Sequence, residues 1–130
     1  MNSCAIFDLD GTLCEMVDST RAYASGWENS PVPRIINELR SMKNAGHTII
    51  ILTGRKYSYH EETRKWLSYH DIPYDHLIMN MDGQPEENHI FKKKVLRVLM
   101  QMYQIMILYD DNPAVETVCK KLKIPFYPCY

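Results

Sequence analysis

Nowhere does this sequence hold an apolar run close to the ~20 residues that a membrane-spanning helix requires. A helical membrane protein is therefore excluded. The first apolar segment, at residues 3–7, is too short for the apolar region of a signal peptide, so the expected location is the cytoplasm. Four cysteines, Cys4, Cys14, Cys119 and Cys129, form no CxxC pair, which excludes a zinc knuckle and a dithiol redox centre. Reduced, partly buried thiols are expected instead. The 15 basic and 16 acidic residues leave a net charge of −1. That balance lacks the basic excess of a general nucleic-acid binder. No GxxxxGK[ST] loop is present, so these residues encode no P-loop kinase. Internal repeats and low-complexity tracts are also missing.

What remains is 130 residues with 45% hydrophobic content, the size and composition of one compact domain spanning 1–130. Residues 3–7 read as a short buried strand. Residues 14–33 have no period and read as a loop, longer than structureless loops usually are. Ile35, Ile36, Leu39 and Met42 mark one face of a helix, closed by Gly46. TIIIL at 48–52 is a continuous apolar run of the kind found in a central parallel strand. Ser58 and Glu61 form a candidate capping box before a helix carrying Thr63, Trp66, Leu67 and His70. HLIM at 76–79 is a strand. Phe91, Val95, Val98, Leu99 and Met102 stripe a further helix, and IMILY at 105–109 is a strand. Asn112 is placed to cap a helix that begins at Pro113 and carries Val115, Val118 and Leu122. Residues 124–128 read as an edge strand because of their prolines.

The alternation of strand and helix predicts a doubly wound α/β domain. Its five-stranded parallel sheet has the expected order 3-2-1-4-5. Ligands in such sheets bind at the C-terminal strand ends, so the residues there matter most. After the first strand come Asp8, Asp10, Gly11 and Thr12. After the second come Thr53, Gly54 and Arg55. Lys92, Lys93 and Lys94 open the third helix, and Asp110 and Asp111 follow the fourth strand. Each cluster alone has a bland reading as a turn or a cap. Their convergence on one sheet edge points to chemistry.

Four carboxylates together need a cation, and oxygen-only ligands select a hard one such as Mg²⁺. A cation with Lys and Arg makes a site for a phosphoryl dianion. One carboxylate can attack phosphorus. A second, two residues on, can protonate the leaving oxygen and then deprotonate water.

DLDGT at 8–12, LTGR at 52–55, a lysine of FKKK at 91–94 and YDDN at 109–112 match in order the four motifs of the haloacid dehalogenase superfamily of aspartate-nucleophile phosphatases. The chain resembles that family over nearly its whole length. The resemblance implies Asp8 as nucleophile and metal ligand, and Asp10 as general acid and base that binds metal through its backbone carbonyl. Thr53 becomes the phosphate-binding hydroxyl, and Gly11, Thr12, Gly54 and Arg55 become substrate-binding. Lys92 is the phosphate-stabilising lysine by its spacing to Leu96, with Lys93 the competing assignment. Asp111 is the principal metal carboxylate of the fourth motif, with Asp110 in support. The family's caps enter after the first motif or before the lysine, where the gaps of about twenty and about twelve residues are too short for a folded domain. No cap domain is expected.

Residues 63–83 are further similar to the 3′-phosphatase domain of phage polynucleotide kinase–phosphatases. Arg21 then corresponds to a substrate-contacting arginine. That branch has M-R where this chain has Met79-Asn80, and G-D-x-R-x-D where this chain has residues 83–88. Two arginines are replaced, and Glu86 and Glu87 appear, which repel a phosphate backbone. Two substrate classes follow: a nucleic-acid 3′-phosphate end, or a small phosphorylated metabolite such as a nucleotide or sugar phosphate. A phosphate-binding module without activity is a third reading, disfavoured because both motif aspartates are present. Tyr23 and Trp27 either clamp substrate or fill the first loop. Trp66 and the methionines Met79, Met81, Met100, Met102 and Met106 are expected to pack, and Arg64 and Lys65 to be solvated. The five histidines lack metal-pair spacing.

Overall fold

The computed structural model describes residues 1–16, 29–82 and 87–130. They form a five-stranded parallel sheet of β1 (Asn2–Phe7), β2 (Thr48–Lys56), β3 (His76–Asn80), β4 (Tyr103–Asp110) and β5 (Phe126–Pro128). Its order is β3-β2-β1-β4-β5, the expected one. Four described helices connect the strands: α1 (Pro33–Asn44), α2 (His60–Tyr69), α3 (Asn88–Met102) and α4 (Pro113–Leu122).

Strand alternation divides the core between the two faces of the sheet. Ala5 and Phe7 of β1 and Ile49 and Ile51 of β2 pack with Ile35, Leu39, Trp66 and Leu67 of α1 and α2. Cys4, Ile6, Ile50 and Leu52 pack on the opposite face with Leu96 and Leu99 of α3 and Val115 and Val118 of α4. Both faces are covered, so the runs 4–7 of β1 and 49–52 of β2 can be continuously apolar. Trp66 is buried, its indole N–H donating to the Asn29 carbonyl at 3.0 Å.

Helix ends follow their sequence signals unevenly. Gly46 closes α1 in a Schellman arrangement: its N–H donates to Lys43 O at 3.0 Å and that of His47 to Met42 O at 3.2 Å. Asn112 caps α4, accepting the Ala114 N–H at 2.9 Å, and Pro113 opens the helix. The Ser58–Glu61 capping box does not form. Ser58 sits in a 3₁₀ turn at Tyr57–Tyr59, α2 starts after Tyr59 without a side-chain cap, and the Ser58 N–H donates to Asp82 Oδ1 at 3.0 Å.

Four further expectations are corrected. The second strand does not stop at Leu52; it runs to Lys56, with a register shift against β3 between Thr53 and Lys56. Thr53, Gly54 and Arg55 are thus within the strand. The last strand is shorter than expected, at Phe126–Pro128. The α3 stripe is also narrower than its pattern: Val98 and Met102 are 58% and 56% exposed. Lys92, Leu96 and Leu99 are the residues α3 buries, and the neighbouring row lines a groove of about 610 Å³ along β3. Met79 packs, while Met81, Met100 and Met106 are exposed. The expected cap-free architecture concerns segments that include 17–28 and 83–86, outside the described residues. No described helix is long and apolar enough to cross a membrane.

Candidate active site

The chain runs outward through β1, β2 and β3, then returns to lay β4 against the other side of β1. The site forms at that switch. Asp8 leaves the end of β1, its N–H donating to Tyr109 O at 2.9 Å. Asp110 ends β4, and Asp111 follows it. One carboxylate oxygen from each of Asp8, Asp110 and Asp111 lies within 4.8 Å of the others.

A tight loop aims Asp8 and Asp10. The Leu9 carbonyl accepts the N–H groups of Thr12, Leu13 and Cys14, and the Gly11 N–H donates to Cys14 O at 2.8 Å. Gly11 has φ +83°, and a Cβ there would lie 2.0 Å from Asp111 Oδ2. Only glycine allows the loop to turn and Asp111 to approach at once. Thr12 is fully buried, beside the Cys129 thiol.

Lys92 enters the cluster from α3, 1% exposed. Its Nζ stands 2.9 Å from Asp8 Oδ1 and 2.7 Å from Asp110 Oδ2. Burial opposes its charge, but Asp8 and Asp110 outweigh burial and hold the ammonium above its ordinary range. Burial pushes the Asp8 carboxyl well above the usual carboxylate range; Lys92 pulls it back, and Asp110 pushes with burial. Asp111 is raised too, chiefly by burial. When all three are ionised, the carboxylates facing one ammonium leave two negative charges in surplus. That surplus, presented by oxygen donors alone, suits a hard divalent cation.

Asp10 belongs to a different pair. Arg55 Nε donates to Asp10 Oδ2 at 2.9 Å and Nη2 to Oδ1 at 2.8 Å, a bidentate fork. The remaining Nη1 donates to Thr63 Oγ1 of α2 at 3.0 Å, and the guanidinium is buried. The two motif aspartates are therefore separately compensated, Asp8 by Lys92 and Asp10 by Arg55.

A cavity of about 370 Å³ opens over this arrangement. Of the residues singled out in the sequence, Asp8, Asp10, Thr53, Gly54, Arg55 and Asp111 line it. Lys92 and Asp110 lie behind that surface, and Gly11 and Thr12 shape the loop beneath. Asp110 uses both oxygens within the protein, on Lys92 and on the Asn112 N–H at 3.0 Å. Asp111 is the fourth-motif carboxylate that faces the cavity. Lys93 points elsewhere, into a separate groove. Arg21, Tyr23 and Trp27 lie outside the described residues.

Asn88 and Asn112 also line the cavity, and sequence reasoning gave neither a site role. The Asn88 amide sits so close to Gly54 that a Cβ there would come within 1.7 Å of Asn88 Oδ1. A signal existed: Asn88 is four residues before Lys92, on the same face of α3.

A doubly wound sheet with an aspartate pair after its first strand, and a buried lysine joining it to a second acidic pair, defines a phosphatase of the haloacid dehalogenase superfamily. The sequence profile described as "Polynucleotide kinase PNKP phosphatase domain" matches residues 2–129, and the chain belongs to that family. A Bacillus cereus protein named "Putative nucleotidase" is 30% identical over 93 residues, covering 71% of this chain and 45% of that protein. A protein of Autographa californica nuclear polyhedrosis virus named "Putative bifunctional polynucleotide kinase/RNA ligase" is 26% identical over 125 residues, 91% of this chain and 18% of the viral protein. A chain of the solved Pnkp1/Rnl/Hen1 RNA repair complex superposes with a TM-score of 0.88 at 27% identity, covering 98% of this chain and 42% of that one. The chain thus spans less than half the length of these relatives.

Proposed function

We propose that this domain is a Mg²⁺-dependent phosphomonoesterase that removes terminal 3′-phosphates from nucleic acid through an aspartyl-phosphate on Asp8. The observation that carries the reaction type is the division of the two aspartates between Lys92 and Arg55. Asp8, beside an ammonium and next to Asp111, is placed for attack on phosphorus. Asp10, gripped at both oxygens yet lining the cavity, is placed for proton transfer. Asp8 and Asp111, supported by Asp110 and the Asp10 backbone carbonyl, would hold the cation. When bound, Mg²⁺ offsets the surplus negative charge and draws charge from the phosphoryl oxygens.

The chemistry balances within this chain's residues. The Asp8 carboxylate forms a bond to phosphorus as the ester P–O bond breaks, and Asp10 gives its proton to the departing oxygen. Water then adds to phosphorus while Asp10 takes the proton back. The acyl-phosphate bond breaks, and inorganic phosphate and the Asp8 carboxylate are released. Thr53 and Gly54 line the place where the phosphoryl oxygens would sit.

Family membership and the likeness to a chain of an RNA repair complex support a nucleic-acid end as substrate. The Bacillus cereus relative named "Putative nucleotidase" supports a second reading, a small nucleotide. Phosphate release in Mg²⁺ separates them, using a 3′-phosphorylated oligonucleotide, its 5′-phosphorylated twin, nucleoside monophosphates and sugar phosphates. Release from the 3′ end alone is expected. Preference for a monophosphate would replace this reading with the second.

A further inference from the structure

Beside the active-site cavity lies a second depression, of about 380 Å³, between α3 and α4. The two meet at consecutive residues. Asn88 lines the first and His89 the second; Pro113 lines the first and Ala114 the second. Both helices start at the C-terminal edge of the sheet, so the depression descends from the site's rim and receives the positive ends of two helix dipoles.

Its charged lining is Lys93 and Lys121, with His89 and Thr117 beside them and no described acidic side chain. Two acids neighbour these lining residues. Glu87 faces His89 at 3.5 Å, and Glu116 accepts a hydrogen bond from Tyr130. Lys93 and Lys121 have no ion pair or hydrogen bond among the described residues. Lys93 is half-buried and Lys121 exposed. From Pro113 to Lys121 the helix rises about 12 Å, long enough for a strand to contact both lysines below the rim.

We infer that the α3–α4 groove is a second anion site, which holds phosphodiesters of the strand whose 3′-phosphate occupies the cavity. The inference rests on the nucleic-acid reading and deepens it, assigning single-stranded backbone contacts to Lys93 and Lys121. It also explains how a chain with no overall basic excess grips a polyanion: the positive charge is local and leads from the catalytic rim.

The test is steady-state phosphate release by wild type and Lys93→Gln/Lys121→Gln, on a 3′-phosphorylated decanucleotide, a nucleoside 3′-monophosphate and p-nitrophenyl phosphate. Each lost phosphate contact is worth about five-fold in affinity at 0.1 M salt relative to 1 M. The double variant should therefore raise KM for the decanucleotide about 25-fold and flatten the log–log salt slope by about 1.4. Its kcat/KM on the two small esters should not change, and Lys93→Arg/Lys121→Arg should restore the oligonucleotide KM. An unchanged KM and salt slope on the decanucleotide would overturn the groove assignment while leaving the 3′-end reading intact. An equal loss on all three substrates would also overturn it, because the lysines would then act on the site itself. If wild type hydrolyses only the small esters, the nucleic-acid reading fails and the inference fails with it.

Discussion

Arg55 offers the sharpest perturbation, because its position and its sequence assignment suggest different roles. The LTGR match makes it substrate-binding, whereas its guanidinium grips Asp10 from both sides and anchors to Thr63. Arg55→Lys keeps the charge but loses the planar fork, so Asp10 is held by one donor at most. Misplacing a proton-transfer group by ~1 Å costs about 100-fold, and general acid–base catalysis as a whole contributes about 100- to 10,000-fold. A loss of roughly 100-fold in kcat/KM is therefore expected for an alkyl phosphate ester. The assay compares that ester with p-nitrophenyl phosphate, whose leaving group departs without a proton. If Arg55 acts through Asp10, the loss on p-nitrophenyl phosphate is about ten-fold or less. An equal loss on both esters, carried in KM, would refute this reasoning and make Arg55 a direct phosphate contact. Arg55→Met should also destabilise the fold by about 3 kcal/mol, the low end for breaking a buried pair, because Asp10 retains some access to water.

Three further outcomes follow from the site and its surroundings. Lys92→Met strands buried carboxylates and should cost about 3–5 kcal/mol at pH 7. Because the folded-state value of Lys92 is raised, its contribution is complete below the unfolded value of about 10.4 and is lost only as pH rises through the folded value. The melting deficit of the variant should shrink in acid, as Asp8 takes up a proton, and on adding Mg²⁺. Gly11→Ala forces an L-residue to φ +83° and a methyl against Asp111. A stability loss of about 1–2 kcal/mol and a raised Mg²⁺ requirement are expected, read by thermal melts and by metal titration of activity. Asp75 accepts from Lys43 Nζ and from the Ile49 N–H, both at 2.8 Å. Its carboxyl is held low, first by the Lys43 hydrogen bond and then by the Ile49 N–H. Its stabilisation is present above the unfolded value of about 3.9 and is lost as pH falls through the lower folded one. Asp75→Asn should cost no more than about 1 kcal/mol at pH 7, given solvent screening, and nothing in strong acid.

Much of the fold is legible because strand and helix alternate and the apolar runs of β1 and β2 admit burial on both faces. The converging motifs then follow from the positions of the strand ends. What the sequence hides is where side chains point. The irregular pairing after Thr53 lies in a strand that the TIIIL pattern ends at Leu52, and Arg55 there turns onto Asp10. The Ser58 signal loses to a competing acceptor, Asp82. Val98 and Met102 match the helical period, but α3 buries only the Lys92–Leu96–Leu99 row against the sheet. Periodicity reports the apolar side of a helix and not how much of that side its partner covers.

The proposed mechanism requires Asp8 to be phosphorylated during turnover. Asp10→Asn, which slows hydrolysis of the intermediate, should be mixed with Mg²⁺ and p-nitrophenyl phosphate, whose leaving group needs no proton from Asp10, then quenched in acid and measured by intact mass and peptide mapping. One added phosphoryl group is expected, located on Asp8 and absent from the Asp8→Asn variant. Phosphate release by Asp8→Asn at a wild-type rate, or an adduct at another residue, would contradict it.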